Sequence, residues 1–239
     1  VTESEGFVLK RMDYKESSKI VFLYTAAGKT SFLVHGANKL QSPFLAKTEV
    51  LNKLRVTTEG RGLKIAKDID TLEIFPAIKQ DLVKYTYCLH VLETVYFLAE
   101  SDIDHAKLYG FLDKIFPKIA TETDYVPYIY MFETKLLYLL GLQPELKQCI
   151  VCRKENLSGF SVSEGGVVCG DHLPSEKPYS LKTVLAFSRL YHYDLEKPSA
   201  LLFDLETVKD LRLLLDDYYH YHLNLETKSR SILRGLLGY

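Results

Sequence analysis

Three cysteines and one histidine are the residues of this chain best placed to do chemistry. Cys149-Ile150-Val151-Cys152 and Cys169-Gly170-Asp171-His172 form two short knuckles separated by sixteen residues, Gly159, Gly165 and Gly166 among them. A CxxC thiolate pair can wrap one metal ion, and a Cys and a His at the same spacing complete a tetrahedral zinc shell with no water position left open. A closed shell is a staple and has no reaction of its own. The expectation is one structural Zn2+ held by Cys149, Cys152, Cys169 and His172, with Asp171 as a substitute neighbour. A redox dithiol is the competing reading of a bare CxxC. Against it, no obvious strand leads into Cys149 and no clear helix begins there, as a thioredoxin-like site requires.

The remaining candidates are weaker. His220 and His222 sit near Asp216 and Asp217, but positions two apart face differently on a helix, so they read as a partly exposed aromatic–histidine surface. Cys88 stands alone beside an apolar helical stripe, as a buried inert thiol does. No Walker loop, dinucleotide fingerprint, HExxH motif or nucleophile elbow occurs. No catalytic or organic-cofactor residues are therefore assigned, and the chain reads as a non-enzyme. Four cysteines in 239 residues are no disulfide scaffold and fit a reducing compartment. No apolar run reaches the length of a membrane span, and Val1–Glu5 lacks the features of a signal peptide. A cytosolic protein is expected.

The elements that must position the knuckles change period along the chain. Residues 5–75 read as strands and turns: Lys19–Thr25 is rich in β-branched and aromatic residues, Ala27-Gly28-Lys29 suits a hairpin turn, and Gly60-Arg61-Gly62 turns the chain into Leu63–Ala66. Leu54 and Val56 point one way, Lys53, Arg55 and Thr57 the other, as in a strand with one wet face. Five short strands in this length predict a small barrel of the OB type. From Pro76 the period becomes helical, with Ile78, Leu82, Tyr85, Leu89, Leu92 and Tyr96 on one stripe. Further helices are expected from Asp104 to Phe116, ending before Pro117, from Tyr128 to Leu140, around Leu181–Ser188, and from near Asp204 through Tyr218. The fold class is thus mixed: an N-terminal OB-type β-barrel (1–76), an all-α domain (77–146 and 179–239), and a zinc-knuckle insertion (147–178).

Charge is distributed unevenly behind a net of −1. Residues 1–67 carry twelve Lys/Arg against six Asp/Glu, and residues 68–148 carry seven against thirteen. A polyanion would meet the barrel first, and the acidic middle would repel it or meet a basic partner protein. OB barrels bind single strands by combining cations with stacking aromatics. The candidate DNA contacts are Lys10, Arg11, Lys39, Lys53, Arg55 and Arg61, with Lys29 and Lys64 nearby. Of the barrel aromatics, alternation sends Phe22 and Phe32 toward the core and leaves Tyr24 and Phe44 as stacking candidates.

The order of several short motifs is similar to that of the bacterial recombination mediator RecO family. They are Gly6–Arg11 with Asp13-Tyr14 and Glu16–Lys19, Gly28-Lys29, Gly36–Ser42, Glu73–Pro76, Leu139–Pro144, Gly159-Phe160-Ser161, Gly165-Gly166, and Tyr221-His222-Leu223 with Lys228-Ser229. The resemblance implies an OB fold, a helical domain and, in many members, a zinc-binding insertion. It also implies a non-enzymatic role in recombinational DNA repair: binding single- and double-stranded DNA, annealing complementary strands, and acting with RecR to load RecA onto DNA coated by single-strand-binding protein. Such a protein would be cytoplasmic and nucleoid-associated. The acidic C-terminal tail of the single-strand-binding protein would need a basic, apolar-lined pocket, for which Arg189, Lys209, Arg212, Lys228 and Arg230 are candidates. Family members that keep the metal site usually have four cysteines, where this chain has His172, and they are often more basic than its pI of 6.7. Two other classes stay open: an OB-fold RNA-binding or translation-associated protein, and a protein–protein adaptor with a structural zinc.

Overall fold

A computed structural model describes residues 1–39, 41–175, 179–197 and 201–238. The chain divides into two compact units, Val1–Thr123 with Thr227–Tyr239, and Asp124–Glu226.

The first unit opens with five strands, β1 (Thr2–Tyr14), β2 (Ser18–Thr25), β3 (Gly28–Val34), β4 (Lys53–Glu59) and β5 (Lys64–Glu73), closed into a barrel in the order β1-β2-β3-β5-β4. A short helix, α1 (Pro43–Lys47), joins β3 to β4. This is the OB arrangement expected from the strand count. The closing strand is β1, whose first half pairs with β4 (Thr2 opposite Thr58) and whose second half pairs with β2 (Tyr14 opposite Ser18). Two devices let one strand serve both neighbours. A bulge between Val8 and Lys10 re-aims it, and at Gly6 an added Cβ would lie 2.2 Å from the Tyr24 carbonyl oxygen, an approach only glycine allows. Leu54 and Val56 point inward as their alternation predicts, joining Val8, Val21, Leu23, Phe32, Val34, Ala37 and Ile69 in the barrel core.

The outer surface of the barrel is partly covered by helices α2 (Pro76–Lys79), α3 (Leu82–Leu98) and α4 (His105–Thr121). The Phe7 ring meets Phe116 edge-on at 5.1 Å and Tyr109 at 5.8 Å, both on α4. The single helix expected after Pro76 is interrupted, because Asp81 accepts a hydrogen bond from Lys84 N and caps a new helix at Leu82. The helix expected to stop before Pro117 continues through it to Thr121, giving up only the one backbone bond that proline cannot donate. The last helix, α8 (Lys228–Leu237), returns to this unit against α3. There Arg230 donates to Nε2 of buried His90 at 3.3 Å, which leaves Nδ1–H to donate to Thr227 at 2.8 Å.

The second unit holds α5 (Val126–Leu139), the hairpin β6 (Leu157–Ser161) and β7 (Gly166–Cys169), α6 (Leu181–His192) and α7 (Leu205–Leu223). α7 supports the hairpin through aromatic side chains. Phe160 packs on Tyr218 with ring centroids 6.1 Å apart, and His222 Nε2–H donates to the Val162 carbonyl at 2.8 Å. His222 is thus structural, as its spacing implied. Among the described residues, no helix is long and apolar enough to cross a membrane.

Candidate metal centre and nucleic-acid interface

The hairpin and a preceding turn bring the two knuckles together. Cys169 ends β7, and a single 3-10 turn, Gly170–His172, folds the imidazole back toward it. The first knuckle is anchored on the same strand by Ile150 N–H, which donates to the Val167 carbonyl at 2.9 Å. It is closed by reciprocal bonds from Arg153 N to Cys149 O and from Cys149 N to Lys154 O, both 2.8 Å, with Arg153 left-handed at φ 64°. At Gly166 an added Cβ would stand 2.8 Å from the Glu145 carbonyl, which accepts from Val167 N. This glycine lets residue 145 lie against the hairpin.

The ligand atoms of Cys149, Cys152, Cys169 and His172 all lie within 4.8 Å of one another. Cys152 Sγ is 3.6 Å from Cys169 Sγ, and His172 Nδ1 is 3.3 Å from Cys169 Sγ and 3.7 Å from Cys149 Sγ. A tetrahedron with bonds near 2.3 Å has edges of about 3.8 Å, so these separations fit one bound ion. The electrostatics agree. Burial raises the Cys149 thiol, but the N–H groups of Cys152, Cys169 and Val151 and the Cys152 side chain bring it down to about 6. Cys152 moves up: the Lys154 N–H favours its thiolate, and burial with the adjacent Cys149 and Cys169 sulfurs outweighs that. A dication would remove this mutual repulsion. Asp171 is not a spare ligand. Its carboxylate is 2.9 Å from Lys154 Nζ, an ion pair that ties one knuckle to the other.

The barrel cations separate into two groups. Lys10 and Lys39 are exposed, as is Arg61 in the β4–β5 loop, and none makes an ion pair among the described residues. Arg11 is half-buried and donates to the Leu45 carbonyl at 3.1 Å. Lys53 is closed off. Its side chain is 12% exposed and its ammonium lies 2.6 Å from Asp113 and 3.2 Å from Glu5. Burial opposes its charge, but the hydrogen bonds to Asp113 and Glu5 raise its pKa far above the ordinary lysine value. Arg55 stays 46% exposed with Glu3 and Glu5 at 3.8 and 3.4 Å. The wet face expected on β4 is therefore a carboxylate-neutralised face.

Most of the barrel's aromatics are closed off, and half-buried Tyr14 at the end of β1 already has the Lys15 ammonium over its ring at 5.4 Å. Tyr24 is fully buried, with its hydroxyl 2.9 Å from His105 Nδ1. Phe32 is in the core, and Phe44 packs against that core. Half-buried Phe22 is met edge-on by Tyr96 of α3 at 5.4 Å. Tyr96 in turn has two ammonium groups over its ring, Lys10 at 4.8 Å and Lys29 at 4.6 Å. The helical stripe identified Tyr96 as a packing residue; its role in organising barrel lysines had no sequence signal, because residues 10, 29 and 96 are far apart in the chain.

Of the five cations considered for an acidic tail, Arg189, Lys209 and Arg212 fall in the second unit and Lys228 and Arg230 in the first. Arg230 is buried against His90 and presents no surface for a ligand. Arg189 stacks over Phe203 at 5.5 Å.

Two family matches cover nearly the whole chain. A model described as "Recombination protein O N terminal" matches residues 1–75, and one described as "Recombination protein O C terminal" matches residues 79–231. Among curated relatives, a protein named DNA repair protein RecO from Halalkalibacterium halodurans is 27% identical over 98% of this chain and 94% of its own length. Proteins of the same name from Shouchella clausii and Bacillus pumilus are 29% and 30% identical over the same shares.

Proposed function

The chain belongs to the recombination protein O family, whose members are DNA repair proteins, and on that premise we propose that it is a non-enzymatic recombination mediator. It binds single- and double-stranded DNA through the barrel, anneals complementary strands, and acts with RecR to help load RecA onto DNA held by single-strand-binding protein. The observation that carries the reading is the joining of an OB barrel to exposed cations, Lys10, Lys39 and Arg61, which have no ion pair among the described residues, with half-buried Arg11 as a further cation of β1. Such contacts position a phosphate backbone without reading sequence. Lys53 and Arg55 contribute less to such contacts, since their charges are largely answered by Glu3, Glu5 and Asp113.

The knuckles take Zn2+, the ion that suits three thiolates and an imidazole in a closed tetrahedron. Zinc supplies folding energy to residues 147–178 and no step of the reaction. The functional division is then a DNA-binding barrel (1–76), a helical part (77–146 and 179–239) and the metal-held insertion. The protein works in the cytoplasm, at the nucleoid.

The acidic tail of single-strand-binding protein finds its complement in the second unit. Arg189 and Lys209 lie on the helices α6 and α7, which also expose Leu185 and Leu205. Charge and apolar surface together suit the basic, apolar-lined site that an acidic tail needs.

The test is fluorescence anisotropy with a labelled single-stranded oligonucleotide at several salt concentrations. Affinity is expected to fall steeply with salt and to vary little with base order. Substituting Lys10, Lys39 and Arg61 together by Ala should reduce the salt slope by up to about three. No binding at low salt would remove the DNA reading in favour of the adaptor, and preference for a structured RNA would favour the RNA-binding alternative.

A further inference from the structure

We infer that the aromatic stacking platform for single-stranded DNA lies on the last turn of α3, at Phe97 beside Tyr96, and not on the barrel strands. The inference rests on the DNA-binding reading and specifies where bases meet the protein. A single strand is held by cations that track its backbone and by aromatic faces that receive its bases. In the first unit the cations belong to the barrel, yet Tyr24 and Phe32 are buried, Phe44 packs on the core, Phe22 is met edge-on by Tyr96, and half-buried Tyr14 already lies under its neighbour Lys15, so the strands present no ring as exposed as Phe97.

The other half stands at the end of α3. Phe97 is 52% exposed, and on α3 only it and Leu82 are exposed. Its ring meets that of Tyr96 at 5.8 Å and 78°, an edge contact that fixes Phe97 without covering it. Tyr96 also meets Phe22 edge-on at 5.4 Å and 90°. The ammonium groups of Lys10 and Lys29 come within 4.8 and 4.6 Å of the Tyr96 centroid, so two cations lie over the ring that Phe97 touches. Lys10 has no carboxylate partner among the described residues, and Lys29 pairs with Glu100, itself on the surface. A phosphate bridging the two lysines would replace one exposed carboxylate and leave the next base in reach of Phe97. The local chemistry is thus a cation pair answered by one acid, next to an open aromatic face. An anionic strand with stackable bases satisfies both features, whereas an apolar peptide would leave Lys10 unanswered.

The chain contains no tryptophan, so Phe97→Trp introduces a single indole at the proposed platform. Three measurements on the full chain test the inference. Anisotropy of a labelled oligonucleotide with the parent protein reports binding as such. Emission of the Phe97→Trp protein is then titrated with the same oligonucleotide and with an abasic strand of equal length. Quenching by the base-bearing strand, absent or much weaker with the abasic one, is the expected result. In addition, Phe97→Ala should weaken binding of the base-bearing strand about tenfold, Phe97→Tyr should retain it, and abasic-strand affinity should change little in either. If the parent protein binds DNA but the indole emission of the Phe97→Trp protein is indifferent to bases, or Phe97→Ala binds like the parent, the platform is overturned and the DNA-binding reading stands. If the parent protein binds no DNA, both fall together.

Discussion

The sulfur of Cys169 and Nδ1 of His172 approach to 3.3 Å across a single turn of 3-10 helix. A donor pair from one such turn is complete only if the first knuckle arrives from elsewhere, and the bond from Ile150 N–H to the Val167 carbonyl brings it there. The metal and the fold of residues 147–175 should therefore be one property. Purified protein is expected to contain about one zinc per chain. Cys152→Ala should abolish stoichiometric binding, and His172→Cys should keep it. Substitution of cobalt for zinc reads the donors directly, since replacing the imidazole by a fourth thiolate changes the visible absorption bands. Protein folded and metal-free on isolation would refute the assignment.

Removal of the metal should act locally. Chelation is expected to raise proteolysis and hydrogen exchange in the β6–β7 hairpin while leaving the barrel's protection intact, because the hairpin's small core of Cys149, Val168 and Cys169 is made largely of the ligands themselves. Exchange measured by mass spectrometry before and after chelation checks this. Equal loss of protection in barrel strands would show that the staple supports more than its own segment.

Lys53 should prove to be a stability residue. Lys53→Ala leaves Glu5 and Asp113 facing each other beside the Phe7 and Tyr109 rings. Losing one partner of a deeply buried pair costs several kcal/mol, but both carboxylates are partly exposed, so a loss of about 1–2 kcal/mol is expected. Urea denaturation measures the loss. The salt slope of DNA binding should stay at its parent value, which separates Lys53 from Lys39.

The same network carries a pH signature. Burial raises the Glu5 carboxyl, but hydrogen bonds from Lys53, Tyr109 and Arg55 and the Lys53 charge set it below its ordinary value of 4.5. A carboxylate depressed on folding adds stability that is complete above its unfolded pKa and lost as pH falls through the folded one. The stability gap between parent and Glu5→Gln should thus be constant near neutrality and shrink below about pH 4.5. Denaturation curves across the acid range up to neutrality test it; a gap that widens on acidification would contradict the sign.

Thr227 should be worth more than its position near the chain end suggests. It caps α8 by accepting from Arg230 N at 3.2 Å and accepts a second bond from buried His90. Thr227→Ala is expected to cost about 1–2 kcal/mol, read by thermal denaturation. Thr227→Ser should restore most of it.

The sequence disclosed what depends on local pattern. Alternation in Lys53–Glu59 identified Leu54 and Val56 as core, and the knuckle spacing identified four side chains whose donor atoms converge, because in both cases nearby residues share one geometric task. Alternation could also say that Lys53 points away from the barrel interior. It could not say that α4 waits outside with Asp113, because that contact joins residues far apart in the chain. The same limit hid the burial of Tyr24 under His105 and of Arg230 under His90. In each case polarity suggested solvent, and a partner from a distant helix replaced it. Asp81 was readable in principle as a cap, but the apolar stripe runs across it without a break in period.

The return of α8 to the first unit has a consequence for the order of events during synthesis. Residues 124–226 form a body whose own sequence is complete before that helix is made. The nascent barrel unit, although begun first, lacks the helix that packs on α3 and answers His90 until α8 has emerged. The chain therefore completes the sequence of its second body before that of its first, and a chain ended ahead of α8 would carry all of residues 124–226 with an unfinished barrel unit.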